Sequence, residues 1–188
     1  MSTAVVNRGY LKIEGAVRAF NFDFRDKTVL DIGSSTGGFT QLALNLGAKK
    51  VIAVEKGTNQ MKAPLRFDPR IELHEKTDIF DVKAQDAFPD IIVADVSFLS
   101  LTKILQYAKK NLSSKNTDFL VMLKPQFEAA PHQLNKGVVK NEKIRRDIIK
   151  NFEAWLKLNN YIIVKKHDNE LHGKTGNIER FYWLKLAK

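Results

Sequence analysis

Thr28-Val-Leu-Asp-Ile-Gly-Ser-Ser-Thr-Gly-Gly-Phe-Thr40 reads as a buried strand that runs through a glycine turn into a helix, the geometry of a nucleotide site. Three ligands compete for such a turn. A phosphate loop needs Lys after the last glycine of Gly-x-x-x-x-Gly, and here Gly33 and Gly38 are followed by Phe39. The dinucleotide fingerprint needs a second glycine two residues after the first, so that backbone can approach a pyrophosphate, and that place holds Ser35. What remains suits a ligand with an amino-acid head group and an adenosine but no phosphate, which is the make-up of S-adenosylmethionine. The plain alternative, a tight strand-to-helix connection, stays open for the turn alone. A second apolar strand, Lys50 to Val54, ends in Glu55 about 20 residues beyond the turn, where a carboxylate accepts hydrogen bonds from both ribose hydroxyls. Taken by itself, Glu55 is equally a solvated loop acid.

Working outward, 188 residues with 44% hydrophobic content describe one ordinary globular domain, 1–188, in which residues 1–24 form a helical segment packed on the rest. There is no run of 18 apolar residues and no charged-then-apolar leader, so neither a membrane span nor a secretory signal is expected, and a cytoplasmic location is. The absence of cysteine excludes disulfides, thiolate metal sites and cysteine nucleophiles, and four scattered histidines argue against a zinc site. The net charge of +10, from 31 Lys plus Arg against 21 Asp plus Glu, implies a field that concentrates a polyanion such as RNA, DNA or anionic lipid. Excess lysine is also a common solubility device. In a helix from Glu142 to Leu158, Ile144, Ile148, Phe152 and Trp155 recur at helical spacing. Lys143, Arg146, Lys150 and Lys157 fall on the opposite side, as a phosphate-contacting stripe or simply a solvated face.

Strands read near 28–32, 50–54, 71–74, 90–95, 118–123, 161–166 and 179–186, with helical patterns between most of them. That alternation predicts a mainly parallel sheet with helices on both faces. The first sheet helix runs from near Thr36 to Gly47, and another from Leu101 to Asn111. The last two strands have no helix between them, so the final strand is expected to return antiparallel as an edge. This seven-stranded α/β arrangement with a reversed last strand is the sheet of class I methyltransferases. Before it, Asn7 to Phe20 forms an amphipathic helix with Leu11, Ala16, Val17 and Phe20 available for packing. The stretch from Pro125 to Lys140 reads as a long polar loop, functional or mobile.

Two ionisable residues end otherwise apolar strands. Asp95 follows Ile91-Ile92-Val93-Ala94, and Lys124 follows Phe119-Leu120-Val121-Met122-Leu123. Ligands bind at that edge of an open parallel sheet. A lysine there activates a hydroxyl, as a neutral base or as a cation beside a developing alkoxide, and Asp95 orients it or holds a positive methyl donor. The competing reading is an ion pair that only satisfies two strand ends.

The chain resembles the ribose 2′-O-methyltransferases of the FtsJ type, most closely the TlyA group of hemolysin-like rRNA methyltransferases. The matching stretches are Arg8-Gly-Tyr-Leu-Lys12, Asp31 to Thr40, Asp68-Pro-Arg70, Asp95 to Leu101, Lys124-Pro-Gln-Phe-Glu128, Lys136-Gly-Val-Val139 and Gly176-Asn-Ile-Glu179. They span nearly the whole chain in order. The resemblance implies a catalytic tetrad at Lys12, Asp95, Lys124 and Glu179, with Lys124 promoting attack by the ribose hydroxyl. Without the resemblance, Lys12 reads as a solvated helix residue and Glu179 as an edge-strand acid. It implies S-adenosylmethionine contacts from Asp31, Gly33, Ser34, Ser35, Thr36, Gly37, Gly38, Phe39, Glu55 and Asp95, with Thr77 and Asp78 holding the adenine amino group. Ribosomal RNA, free or in a subunit, is the implied partner, touched by Arg8, Lys136, Lys143, Arg146 and Lys150, with no membrane and no metal.

Departures from the family pattern are Asp78 for Asn, Glu55 for Asp, Tyr10 for Gly and a missing Pro near His172. Family members usually carry a small amino-terminal RNA-binding domain, and this chain begins at the catalytic part. RNA affinity is then expected from the basic surface, a separate partner or a ribosomal particle. Three other readings stay open: a small-molecule methyltransferase on the same fold, a membrane-active hemolysin, and a pseudoenzyme that only binds.

Overall fold

The computed structural model describes residues 7–83, 87–171 and 176–187. Seven strands form one sheet in the order β3-β2-β1-β4-β5-β7-β6. They are β1 (Thr28–Ile32), β2 (Lys50–Val54), β3 (Ile71–His74), β4 (Ile91–Ala94), β5 (Asp118–Leu123), β6 (Tyr161–Asp168) and β7 (Arg180–Leu186). β1 to β5 pair in parallel, and β7 runs antiparallel to both of its neighbours. This is the expected class I methyltransferase sheet, with one correction: the reversed last strand lies inside the sheet and β6 forms the edge. The side chains give the reason. β7 buries Phe181, Tyr182 and Leu184, whereas β6 carries exposed Lys165 and Lys166 in mid-strand, a composition that suits an unpaired edge.

Side chains of successive strand residues enter opposite faces, and both faces are covered. Leu30, Ile32, Phe119, Val121 and Leu123 pack under the helices α3 (Leu101–Asn111) and α5 (Glu142–Leu158). Val29, Leu120 and Met122 pack under α1 (Arg8–Phe20) and α2 (Gly38–Asn45). Caps set these helices where the sequence suggests. Asn7, Ser100 and Asn141 accept main-chain N–H groups at the starts of α1, α3 and α5, which satisfies donors that a helix leaves free.

Three expectations change. α2 begins at Gly38 and not near Thr36, because Gly37 holds φ +86°, a left-handed conformation that cannot belong to a helix. In α1, Leu11 is exposed, and Lys12 and Ile13 are buried with Ala16 and Phe20. The stretch after Lys124 is ordered: α4 (Pro125–Glu128) leads into a 3-10 turn, Pro131–Gln133, and then a hairpin turn from Asn135 to Val138. In that turn Asn135 and Val138 exchange both main-chain hydrogen bonds, and Lys136 and Gly137 both have positive φ, so Lys136 is held out on a tight tip.

Candidate active site

The strand ends after β1 and β4 meet α1 in a cleft lined by Gly9, Lys12, Gly33, Ser34, Ser35, Gly38 and Asp95. What brings Lys12 there is Gly38. A Cβ at Gly38 would lie 2.3 Å from Asn7 Oδ1 and 2.5 Å from the Tyr10 nitrogen, so only glycine lets the start of α1 rest on the start of α2. Lys12 is then buried, and its Nζ lies 2.6 Å from Glu179 Oε2. Glu179 directly precedes β7. The antiparallel register, Leu123 opposite Arg180, continues to place Lys124 opposite Glu179.

The second ion pair of the site joins Lys124 and Asp95, Nζ to Oδ1 at 2.6 Å. The contact lies off hydrogen-bond alignment, and the aligned bond of the ammonium goes to Ser97 Oγ at 2.9 Å. Asp95 Oδ1 thus faces a cation and still has acceptor capacity. Two ammonium groups and two carboxylates converge here, three of them buried, so each charge that leaves water is compensated. All four residues of the expected tetrad come together.

A second cleft, about 390 Å³, continues from Gly33 and Ser35 past Glu55, Lys56 and Gln60 to Thr77, Asp78, Ile79 and Asp95–Leu99. Glu55 ties its two sides: Oε2 accepts from Ser35 N at 2.8 Å and Oε1 from Gly57 N at 2.6 Å. Lys56 donates to Asp78 at 2.9 Å, which holds the Asp78 carboxyl below the usual range and keeps it an acceptor. Beneath the glycine turn, Thr40 Oγ1 donates to Asp31 Oδ2 at 2.6 Å, while Asp31 Oδ1 and Ser34 Oγ are buried without a partner. Burial between β1 and α2 pushes the Asp31 carboxyl up to about 7. Unmatched buried polar atoms beside a long cleft with a carboxylate at its waist fit a ligand bearing an ammonium head and a ribose.

Not every expected contact lies on these surfaces. Ser34, Thr36, Gly38 and Phe39 line the inner cleft, and the Phe39 ring also packs on Phe181 at 6.0 Å. Gly37 sits behind the turn instead. A Cβ there would meet Leu65 Cδ2 at 2.4 Å, so its role in the structure is backbone shape and packing. Asp31 lies below the turn and not on a cleft wall. Of the basic residues, Arg8 lines the inner cleft, Lys136 tips the hairpin turn, and Lys143, Arg146 and Lys150 are exposed on α5. Residues near His172, where the family's proline is missing, lie outside the described residues.

Gln60, Ser97 and Phe98 also line the second cleft; Ser97 and Phe98 lie in the matching stretch Asp95 to Leu101, but the sequence assigns none of the three a role. Phe98 is 89% exposed at the cleft mouth with φ +65°, and its ring stands 5.2 Å from that of Phe127. Positive φ at a phenylalanine has no sequence signal. Among the described residues there is no cluster that could hold a metal ion, and no helix is long and apolar enough to cross a membrane.

A Rossmann-like sheet with a long cleft at its strand ends and a paired lysine–carboxylate cluster beside it is the arrangement of the S-adenosylmethionine-dependent methyltransferase class. The FtsJ-like methyltransferase family matches residues 5–186, and the chain belongs to it. It is 38% identical over 178 residues to the candidate rRNA methyltransferase YqxC of Bacillus subtilis, covering 93% of this chain and 63% of YqxC. It is 35% identical over 185 residues to the 23S rRNA (cytidine-2′-O)-methyltransferase TlyA of Campylobacter jejuni, covering 97% of this chain and 72% of TlyA. Among solved structures, a candidate hemolysin from Streptococcus thermophilus superposes with a TM-score of 0.92 at 33% identity, over 100% of this chain and 69% of that one.

Proposed function

We propose that this chain methylates the ribose 2′-hydroxyl of ribosomal RNA. The observation that carries the reading is the Lys124–Asp95 pair set beside the Lys12–Glu179 pair, at the end of the adenosyl cleft nearest Gly33. When bound, S-adenosylmethionine supplies an electrophilic methyl group on a sulfonium. Glu55 is positioned to hold its ribose hydroxyls, Asp78 its adenine amino group, and Ser34 with the turn its amino-acid head.

The chain's own groups do the rest. Lys124 Nζ stabilises negative charge that develops on an entering hydroxyl oxygen, and Asp95, whose Oδ1 keeps acceptor capacity, orients that hydroxyl and takes up its proton as the new carbon–oxygen bond forms. Lys12 and Glu179 hold the cluster near electrical neutrality, so that neither Lys124 nor Asp95 faces an uncompensated neighbour. Positioning of the hydroxyl accounts for much of the acceleration, since the reaction needs one line of approach. Phe98 offers an exposed ring face to an unstacked base beside the cleft. Arg8, Lys136, Lys143, Arg146 and Lys150 contribute phosphate contacts, and a separate RNA-binding partner is compatible with them.

Transfer of a tritiated methyl group to isolated ribosomal subunits and to naked rRNA, followed by mapping of ribose methylation, tests the proposal. Label at a ribose 2′-oxygen supports it. Label only on a small molecule, or bound cofactor with no transfer to any RNA, overturns it.

A further inference from the structure

The segment that begins with Asp95 and the segment that begins with Lys124 are joined at successive points, in the same order along each. Lys124 meets Asp95 and Ser97, and Phe127 meets Phe98. Glu128 closes the series: its Oε2 accepts from Ser100 Oγ and its Oε1 from the main-chain N–H of Leu101, both at 2.6 Å. Glu128 lines neither cleft.

Two features show that this last joint holds something that would not hold itself. α4 is a single turn of four residues, too short to persist on its own hydrogen bonding, and its last residue is the one anchored to α3. Between Asp95 and Ser100, Phe98 keeps positive φ with its side chain in solvent, a conformation that persists only when the flanking chain is fixed from both sides. Asp95 fixes one side and Ser100 the other. Ser100 already caps α3 through the Thr102 N–H, so the carboxylate from α4 adds an acceptor to a helix start that has one.

We propose that Glu128 is a positioning residue: it locks the Asp95–Leu101 segment onto Lys124–Glu128, and so sets the separation of Asp95 from Lys124 and the presentation of Phe98. It touches neither cofactor nor acceptor. The inference rests on the reading of Lys124 and Asp95 as the reacting pair. The competing role is a plain cap on α3, which would stabilise the fold and leave the pair alone.

Glu128→Ala and Glu128→Gln separate the two roles. Methyl transfer to rRNA by Glu128→Ala is expected to fall about 10- to 100-fold in kcat, the scale of a small misplacement of reacting groups, with KM and S-adenosylhomocysteine affinity within about twofold. Glu128→Gln keeps an acceptor for Leu101 N–H and is expected to recover most of the loss. A lowered urea midpoint with unchanged kcat overturns the proposal, as does a kcat that Gln fails to rescue. Urea unfolding of Glu128→Ala, Lys124→Met and the double variant supplies a readout without turnover. Coupled effects are expected, and additive ones overturn the proposal. If the wild-type chain methylates no RNA, the proposed function fails while this cycle still decides the role of Glu128.

Discussion

Lys124→Met removes the ammonium that pairs with Asp95 and keeps an unbranched side chain of similar reach. The expected outcome is a kcat lower by about 10²- to 10⁴-fold, with S-adenosylhomocysteine affinity within about threefold, read by methyl transfer and calorimetry. A kcat within about fivefold of wild type would remove Lys124 from the chemistry. Asp31 yields a prediction about pH. Its folded carboxyl titrates near 7 against an unfolded value of 3.8, so between those values the folded chain holds a proton that the unfolded chain has released. Stability therefore falls as pH rises through that window, by at most about 4 kcal/mol, and is flat in this contribution above it. Asp31→Asn keeps an acceptor for Thr40 and removes the titration. The difference between wild-type and variant unfolding free energies should change between pH 4 and 7 and then level off, and a constant difference would reject the buried-acid account. These residues were unequally legible. Asp95 and Lys124 stood out as ionisable groups at the ends of apolar strands. Lys12 and Glu179 did not, because their burial depends on each other across α1 and β7, and no local pattern records a partner so far away in sequence.

Glycine makes the same argument for elements. Gly38→Ala drives a Cβ against the side-chain oxygen Oδ1 of Asn7, the Tyr10 nitrogen and the Gly9 carbonyl carbon, the last at 2.8 Å, and the latter two are backbone atoms that cannot rotate away. α1 must then lift from α2. A loss of about 1–3 kcal/mol in urea unfolding is expected, together with a loss of methyl transfer out of proportion to stability, because Lys12 leaves the cluster. Gly15 is the control. It also lies in α1 but has nothing within 4 Å of a built Cβ, so Gly15→Ala should stabilise by about 0.5–1 kcal/mol with activity retained. Equal behaviour of the two variants would show that the α1–α2 approach does not position Lys12. Element ends were well read where caps mark them: α3 and α5 fall on Leu101–Asn111 and Glu142–Leu158 as the sequence suggests. Strand order was not, since the insertion of β7 between β5 and β6 is decided by which strand tolerates solvent, and Lys165 and Lys166 speak for β6 only once both strands are compared. The segment after Lys124 looked like open loop because its anchors, Glu128 on α3 and Asn177 on the Val139 N–H at 3.0 Å, come from other parts of the chain.

Charge is a property of the whole molecule, and here the site and the surface divide it. The four charges of the cluster cancel, so the net +10 resides elsewhere and can act on a polyanion without disturbing the reacting pair. Lys136 is tied to this division by geometry. Its turn is rooted by Asn177, which accepts from Val139 N, donates to the Gly137 carbonyl at 3.1 Å, and stands two residues before Glu179. On the proposed function, a cation on a stiff support anchored two residues from Glu179 is placed to meet phosphate near the target ribose, and Lys143, Arg146 and Lys150 on α5 to give a broader footing. α5 is fixed relative to the site, because Arg145 Nε donates to the Ile178 carbonyl at 3.3 Å. Binding of rRNA measured across salt concentrations tests this. Removing one phosphate-binding cation should reduce the slope of log K against log salt by about 0.7–0.9. Lys136→Ala should reduce the slope by about one such step, and the Lys143→Ala/Arg146→Ala/Lys150→Ala variant by about two to three. Because the Lys136 turn is anchored two residues from Glu179, its removal should also lower transfer at saturating RNA if the proposed site is the reacting one, while the triple variant should recover full kcat once RNA is in excess. Slopes unchanged in both variants, with only solubility reduced, would assign the basic surface to solvation and leave RNA capture without a footing on this chain.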